Sequence, residues 1–460
     1  AEQGGPNDTR MTLARIAKLR ADKAALFGKS DWATYTMWDR MAETPKTALD
    51  FMGQMVAPLA ATQRREAEVL NEMIRSGGEN FTVEPWDWYR YAERVRKARY
   101  DLDESEVQKY FVLDKVLEDG VFFAANKLYG LNFQQRTDLP VYHPDVTTYT
   151  VFDRDGSELG IFYFDPFQRP SKRGGAWMSN FVDQSHLYGT KPVIYNVLNI
   201  PKAAEGEVQL VSFDNVNTLF HEFGHALHGF FGDQQYASLS GIATARDFVE
   251  YPSQVNEMWA TDPVILANYA KHYETGETIP AALITKMEEA AKFNQGYDFG
   301  EVVAAALLDM KWHALTPAQA AAIDTPEKVD AFERQSLTEL GLEVDLVPPR
   351  YRSNYFNHIF SSPAGYSAGY YSYLWTEMLD RDSRKWFMDN GGLTRANGDH
   401  YRATVISRGG TMDYYEMFRN FMGRAPNVQP MLEARGLVSG DATATDATAS
   451  DGALPPATTE

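Results

Sequence analysis

Three of the chain's nine histidines, His221, His225 and His228, fall within eight residues. Around them Val216, Leu219, Phe220, Phe223 and Leu227 recur every three or four positions, the pattern of an amphipathic helix with one buried face. Asp214 offers a cap for its start. On such a helix His221 and His225 stand one turn apart and project from the same face. A buried polar group without a partner is costly. Histidines placed there are expected to be satisfied, by a shared metal or by hydrogen bonds.

His221 and His225 can share one tetrahedral zinc, with Glu222 beside the same face. A carboxylate there can take a proton from a water held by the zinc and later return it to a leaving amine. Zinc lowers the pKa of such a water to roughly 7. The same spacing is also met by two hydrogen-bonded histidines on a buried helix. A catalytic zinc needs a third protein ligand, and the chain has no cysteine, so nitrogen and oxygen must supply it. Downstream, Glu250 lies among apolar neighbours, where metal ligation would explain a buried carboxylate. Gln254 and Glu257 follow at i+4 and i+7, as partners of the ligands or as a solvated helix face.

The chain's organisation sets this helix in context. Residues 8–126 are patterned for helices, with Asp8 and Thr9 available to cap the first and Met11, Leu13, Ile16 and Leu19 at helical spacing. Helical patterns cover residues 46–75 and 87–113. From 139 to 200 the character changes to short β-branched and aromatic runs at 141–142, 147–152, 159–164, 176–181 and 192–199, separated by Asp155-Gly156, Pro170 and Gly174-Gly175. These predict a small sheet. Helical patterning returns from 214 to 432, with helices expected at 283–294, 300–315, 326–340 and 371–386. The expected fold class is mainly α with a small β-sheet. The expected regions are 1–130 (helical), 131–205 (β-containing), 206–438 (helical, with the metal motif) and 439–460. This last stretch of Ala, Thr, Asp, Ser, Gly and Pro has little to bury and is expected to be disordered.

Charge narrows the partners. With 44 basic and 63 acidic residues, the net charge is −19. Such a surface repels nucleic acid and anionic membranes. The longest apolar run, 302–310, is far too short to span a bilayer. A second polar feature stands out instead. Tyr366, Tyr370 and Tyr373 recur at i, i+4 and i+7, flanked by Gly365 and Gly369, which permit close backbone approach or a mobile loop. Phenols sharing one face could donate to a developing oxyanion. On spacing alone, a buried aromatic stripe is the simpler reading.

Four stretches together resemble the thimet oligopeptidase family of zinc metallopeptidases. They are FHEFGHALHG (220–229), RDFVEYPSQVNE (246–257), GGAWMSNF (174–181) and GYSAGYYSYLW (365–375). PVYHPDV (140–146), KPVIYNV (191–197) and PPRYRSNYF (348–356) are most similar to the family's bacterial peptidyl-dipeptidase (dipeptidyl carboxypeptidase) branch. The similarity runs from about residue 9 to about residue 437.

The resemblance implies a zincin-type helical body with a deep substrate channel and one zinc per chain. It implies His221, His225 and Glu250 as ligands and Glu222 as general base and acid. Tyr366, Tyr370 and Tyr373 would line the substrate site, with Tyr373 and Tyr366 stabilising the oxyanion, and His358 matches a family histidine ahead of the tyrosines. Ala176, Trp177 and Met178 would lie on an edge strand that pairs with substrate backbone. The expected substrates are short peptides cut two residues from the C-terminus, with neither nucleic acid nor membrane as a partner. Arg350, Arg352 and Arg246 are candidates by charge for the substrate carboxylate, or for structural ion pairs. The family's further N-terminal helical region would come from another segment or a second chain. The alternatives are an endo-acting oligopeptidase of the same family and a zinc-binding protein without turnover.

Overall fold

The computed structural model describes residues 4–100, 103–362 and 365–438; the expected disorder of residues 439–460 lies outside them. Six helices carry the account: α1 (Arg10–Leu26), α2 (Pro45–Ser76), α3 (Phe213–Phe230), α4 (Tyr251–Glu257), α5 (Gln295–His313) and α6 (Ser372–Asp389). Five strands form one sheet: β1 (Asn132–Arg136), β2 (Thr147–Phe152), β3 (Glu158–Phe167), β4 (Trp177–Val182) and β5 (Val193–Ile200). The fold is mainly helical with a small sheet, as the patterning predicts. No helix among the described residues is long and apolar enough to cross a membrane.

The strand order is β1-β2-β3-β5-β4. β3 and β5 are parallel, and the remaining pairs are antiparallel. This leaves β4 on an edge. Two strand expectations are corrected. Val141 and Tyr142 are not in a strand; the Tyr142 hydroxyl donates to Asp165 at 3.0 Å instead. β1 was not expected, because Asn132-Phe133-Gln134-Gln135-Arg136 is polar and mostly exposed, with no apolar alternation to reveal it.

Helix boundaries differ for similar reasons. The pattern expected at 87–113 is broken into Trp88–Tyr100 and Glu104–Gln108, the second capped by Asp103. α1 buries Leu13, Ala14, Ala17, Ala21 and Ala24, while Met11 and Leu19 are exposed. Its packing face is a stripe of alanines, which lets neighbouring helices approach closely. The Asp8 carboxylate accepts from the Arg10 backbone N–H and from its guanidinium, whereas Thr9 makes no capping bond.

The chain forms two compact units that do not follow the expected consecutive regions. One comprises residues up to 102, 286–375 and 428 onward; the other comprises 103–285 and 376–427. In the first, α2 packs along α5, and Leu70, Ile74, Trp88, Tyr91, Tyr297 and Val347 share one core. In the second, α3 lies on the sheet, where Phe122, Phe133, Phe162 and Phe223 pack ring on ring. A Cβ on Gly229 would come within 2.5 Å of Ile194 and 3.0 Å of Met178. A side chain there would have to push the ends of Ile194 and Met178 aside for α3 to sit this close to β4 and β5.

Candidate functional site

α3 is capped by Ser212, whose hydroxyl accepts from the Asn215 N–H at 3.2 Å; Asp214 sits in the first turn rather than at the cap. Gly224, between the two motif histidines, decides what meets them. A Cβ there would lie 2.6 Å from Ser253 Cα and 2.8 Å from Asn256 Cβ. The absence of a side chain lets α4 press directly on α3, and Asn256 ties the pair by donating to the Phe220 carbonyl at 2.7 Å.

That contact carries Glu250 and Glu257 to the histidines. Glu250 Oε2 lies 3.0 Å from His225 Nε2 and 3.2 Å from His221 Nε2. His221 Nδ1 contacts Glu257 Oε1 at 2.8 Å. Glu257 also accepts from the Asn217 amide at 2.9 Å. A carboxylate on Nδ1 makes that nitrogen a donor, and Nε2 is the nitrogen turned toward Glu250.

The donors of His221, His225 and Glu250 lie within 4.8 Å of one another and could hold a metal ion. Ligands at 2.0–2.1 Å around a tetrahedral centre stand roughly 3.3 Å apart, close to the separations seen here.

The electrostatics agree with a cation at this point. Burial disfavours a charged His221, but Glu250 and Glu257 outweigh it and hold its pKa well above the ordinary range. Burial pushes Glu250 up, but hydrogen bonds from the two imidazoles hold it well below a normal carboxyl. The pocket thus sets two carboxylates, Glu250 and Glu257, against His221, and a metal ion bound there would take the place of the proton they favour on it.

Glu222 differs. It is 5% exposed, burial raises its pKa, and its Oε2 has no hydrogen-bond partner. An unpartnered buried carboxylate oxygen beside a ligand set is the arrangement a proton acceptor needs.

Other expected residues take varied places. Gln254 Oε1 is buried without a hydrogen-bond partner. His228 is fully buried, outside the ligand group, and burial pushes its pKa down to about 3. Trp177 and Met178 lie on the edge strand β4, Met178 turned toward α3, and Ala176 immediately precedes it. Asn217 was missed, although its position four residues before His221 puts it on the same helix face.

In the other compact unit the tyrosines gather although residues 366–371 form turns, not helix. Tyr366 and Tyr373 stack with centroids 5.5 Å apart, and Tyr370 lies 5.6 Å from Tyr373. The His358 ring lies 5.4 Å from Tyr370 and 6.1 Å from Tyr366. Tyr351, also missed, packs on His358 at 4.7 Å. It stands between the two arginine candidates in sequence, which was the available signal. Arg350 is paired with Glu301. Arg352 bonds Glu333 at 2.6 Å, and Glu333 also accepts from the Ser353 N–H. Arg246 opens a short helix ahead of Glu250.

The profile of peptidase family M3 matches residues 1–437. The chain belongs to peptidase family M3. Among similar M3 proteins, the dipeptidyl carboxypeptidase of Escherichia coli K12 is 49% identical over 439 residues, covering 95% of this chain and 63% of the relative. The Salmonella typhimurium protein of that name is 47% identical over 437 residues, with the same coverage. Oligopeptidase A of Salmonella typhimurium is 33% identical over 449 residues, covering 95% of this chain and 64% of the relative. The chain therefore spans somewhat under two thirds of the length of these M3 relatives.

Proposed function

We propose that this chain carries the catalytic machinery of a zinc metallopeptidase that releases dipeptides from the C-termini of short peptides. One observation carries the reading: three ligand atoms of His221, His225 and Glu250 converge while the adjacent buried Glu222 keeps one oxygen without a partner. Bound there, one zinc per chain supplies Lewis acidity that brings the pKa of water to roughly 7. Glu222 accepts the proton of the attacking water and delivers it to the leaving amine. Glu257 holds His221 in the tautomer that presents Nε2.

The tyrosine roles follow the resemblance, with Tyr373 and Tyr366 as oxyanion donors and Tyr370 and His358 beside them. Ala176, Trp177 and Met178 are assigned to backbone pairing with the peptide. Arg350 and Arg352 both stay candidates for the substrate carboxylate: each pairs with a buried glutamate, Glu301 or Glu333, and keeps nearly half of its side chain exposed. Dipeptide release is favoured over endo cleavage by the higher identity to proteins named dipeptidyl carboxypeptidase than to oligopeptidase A.

Glu222→Gln tests the core of the proposal. It should retain zinc and lose turnover by roughly 10²–10⁴-fold; wild-type activity in this variant refutes the mechanism. A peptide blocked as its C-terminal amide tests the exo reading. Products released from it at the rate seen with the free acid would assign an endo-acting oligopeptidase instead.

A further inference from the structure

The apolar run at 302–310 contains one charge, Asp309, between Leu308 and Met310 on α5; all three are fully buried. A carboxylate in such surroundings is held only if its lone pairs are taken up. Here four donors surround it. Oδ1 accepts from the Ala368 N–H at 2.9 Å, and Oδ2 accepts from the Gly369 and Tyr370 N–H groups, each at 2.9 Å. His313 Nδ1 lies 2.7 Å from Oδ1. Three successive backbone N–H groups converging on one anion form a nest, a backbone shape that needs a left-handed residue. Ala368 supplies it, with φ at +50°. A left-handed alanine is strained by its Cβ against the following carbonyl, so something must hold it.

The hold extends further. His313 Nδ1 faces two oxygens of Asp309, so it donates, and Nε2 is left to accept from Arg20 Nη1 at 2.8 Å. The Arg20 guanidinium also donates to the carbonyls of Ile359 at 2.6 Å and Ser362 at 3.1 Å, where the same segment begins. The Trp32 indole N–H donates to Ser367 Oγ at 3.0 Å, and the Tyr366 N–H to the His358 carbonyl at 2.8 Å. Every residue from Tyr366 to Tyr370 is thus anchored. The mobile loop that the glycines allowed is a clamped turn over these residues.

We propose that Asp309, buttressed by His313 and Arg20, is a positioning residue that holds Tyr366 and Tyr370 in place for catalysis. The catalytic half of this statement rests on the peptidase reading above; the anchoring half does not. Amide hydrogen exchange and peptide hydrolysis, both on the zinc-loaded full chain, test them separately. In Asp309→Asn the amides of 368–370 should exchange at least tenfold faster, while those of α2 stay unchanged. Unchanged exchange at 368–370, or a uniform rise across the unit, overturns the anchoring. The same variant should lower kcat at least tenfold with KM within about twofold. In the Tyr366→Phe/Tyr370→Phe background its further effect should shrink below threefold. A full additional loss in that background means Asp309 does not act through the tyrosines and overturns the positioning role.

If Asp309→Asn does not fold, His313 carries the test. His313→Gln can both donate to Asp309 and accept from Arg20, and should keep the protection and kcat. His313→Leu can do neither, and should lose both. Equal protection in the two variants overturns the proposal. A wild-type chain that hydrolyses no peptide would refute the peptidase reading, and the exchange measurements would still decide the anchoring.

Discussion

His221, His225 and Glu257 sit on regular helices, and Glu250 sits at the junction of two short ones, whereas Tyr366 and Tyr370 sit on an irregular turn. In the first region, spacing along α3 already places two side chains on one face, and the glycine between them admits the partner helix. In the second, the same kind of spacing argument applied to the tyrosines presumes a helix that is absent. The rings still meet, because a carboxylate about 60 residues upstream folds the backbone beneath them. Regular structure lets local spacing speak for geometry; an irregular turn needs an anchor from elsewhere in the chain.

The largest expected effect tests the helical region. Zinc removal by a chelator, or His225→Ala, should lower hydrolysis of a short peptide by roughly 10³-fold or more, since a Lewis acid contributes several kcal/mol to such a transition state. Activity that survives metal removal, checked by elemental analysis, breaks the ligand assignment. The tyrosine cluster comes next. Tyr373→Phe should cost about 10²–10³-fold in kcat if its hydroxyl is an oxyanion donor. A loss confined to KM would return the tyrosines to a packing role.

A smaller effect belongs to the ligand's support. Glu257→Gln should weaken zinc affinity by about 10–100-fold, read by equilibrium dialysis, because Gln offers His221 a weaker acceptor. Unchanged affinity would show that the α3–α4 contact alone orients His221.

The smallest effect probes the start of the helix that carries Asp309. Glu66 on α2 accepts the Gly296 and Tyr297 N–H groups at the amino end of α5, and burial pushes its pKa up to about 7. A carboxyl raised from 4.5 to about 7 in the folded state contributes stability below the lower value and loses it as pH rises through the higher one. Glu66→Gln should therefore gain on wild type in thermal midpoint, by a few degrees, between about pH 5 and pH 7.5. A pH-independent difference would mean Glu66 titrates normally.

Much of this was legible in the residues. The helical period around 216–230, the turn residues between the β-runs from 147 to 199 and the lone Glu250 among apolar neighbours are local signals, and they led to a helix, four strands and a partly buried carboxylate that the structure contains. Less legible was β1, whose polar residues pair at a sheet edge without an apolar face. Asn217 and Tyr351 were hidden for another reason: their value lies in what they touch.

By itself the sequence determined that His221 and His225 share a helix face with Glu222 beside it, where most of the sheet's strands lie, and that Glu250 stands among apolar neighbours, because those properties depend on period and composition within one turn or one strand. Only the tertiary structure decided that Glu250 reaches both histidines, that Glu257 contacts His221, and that Asp309 accepts from the backbone of the tyrosine turn. Those contacts join residues from about 25 to 60 positions apart. They depend on how closely backbones approach, at Gly224 above all, and no local pattern encodes that distance.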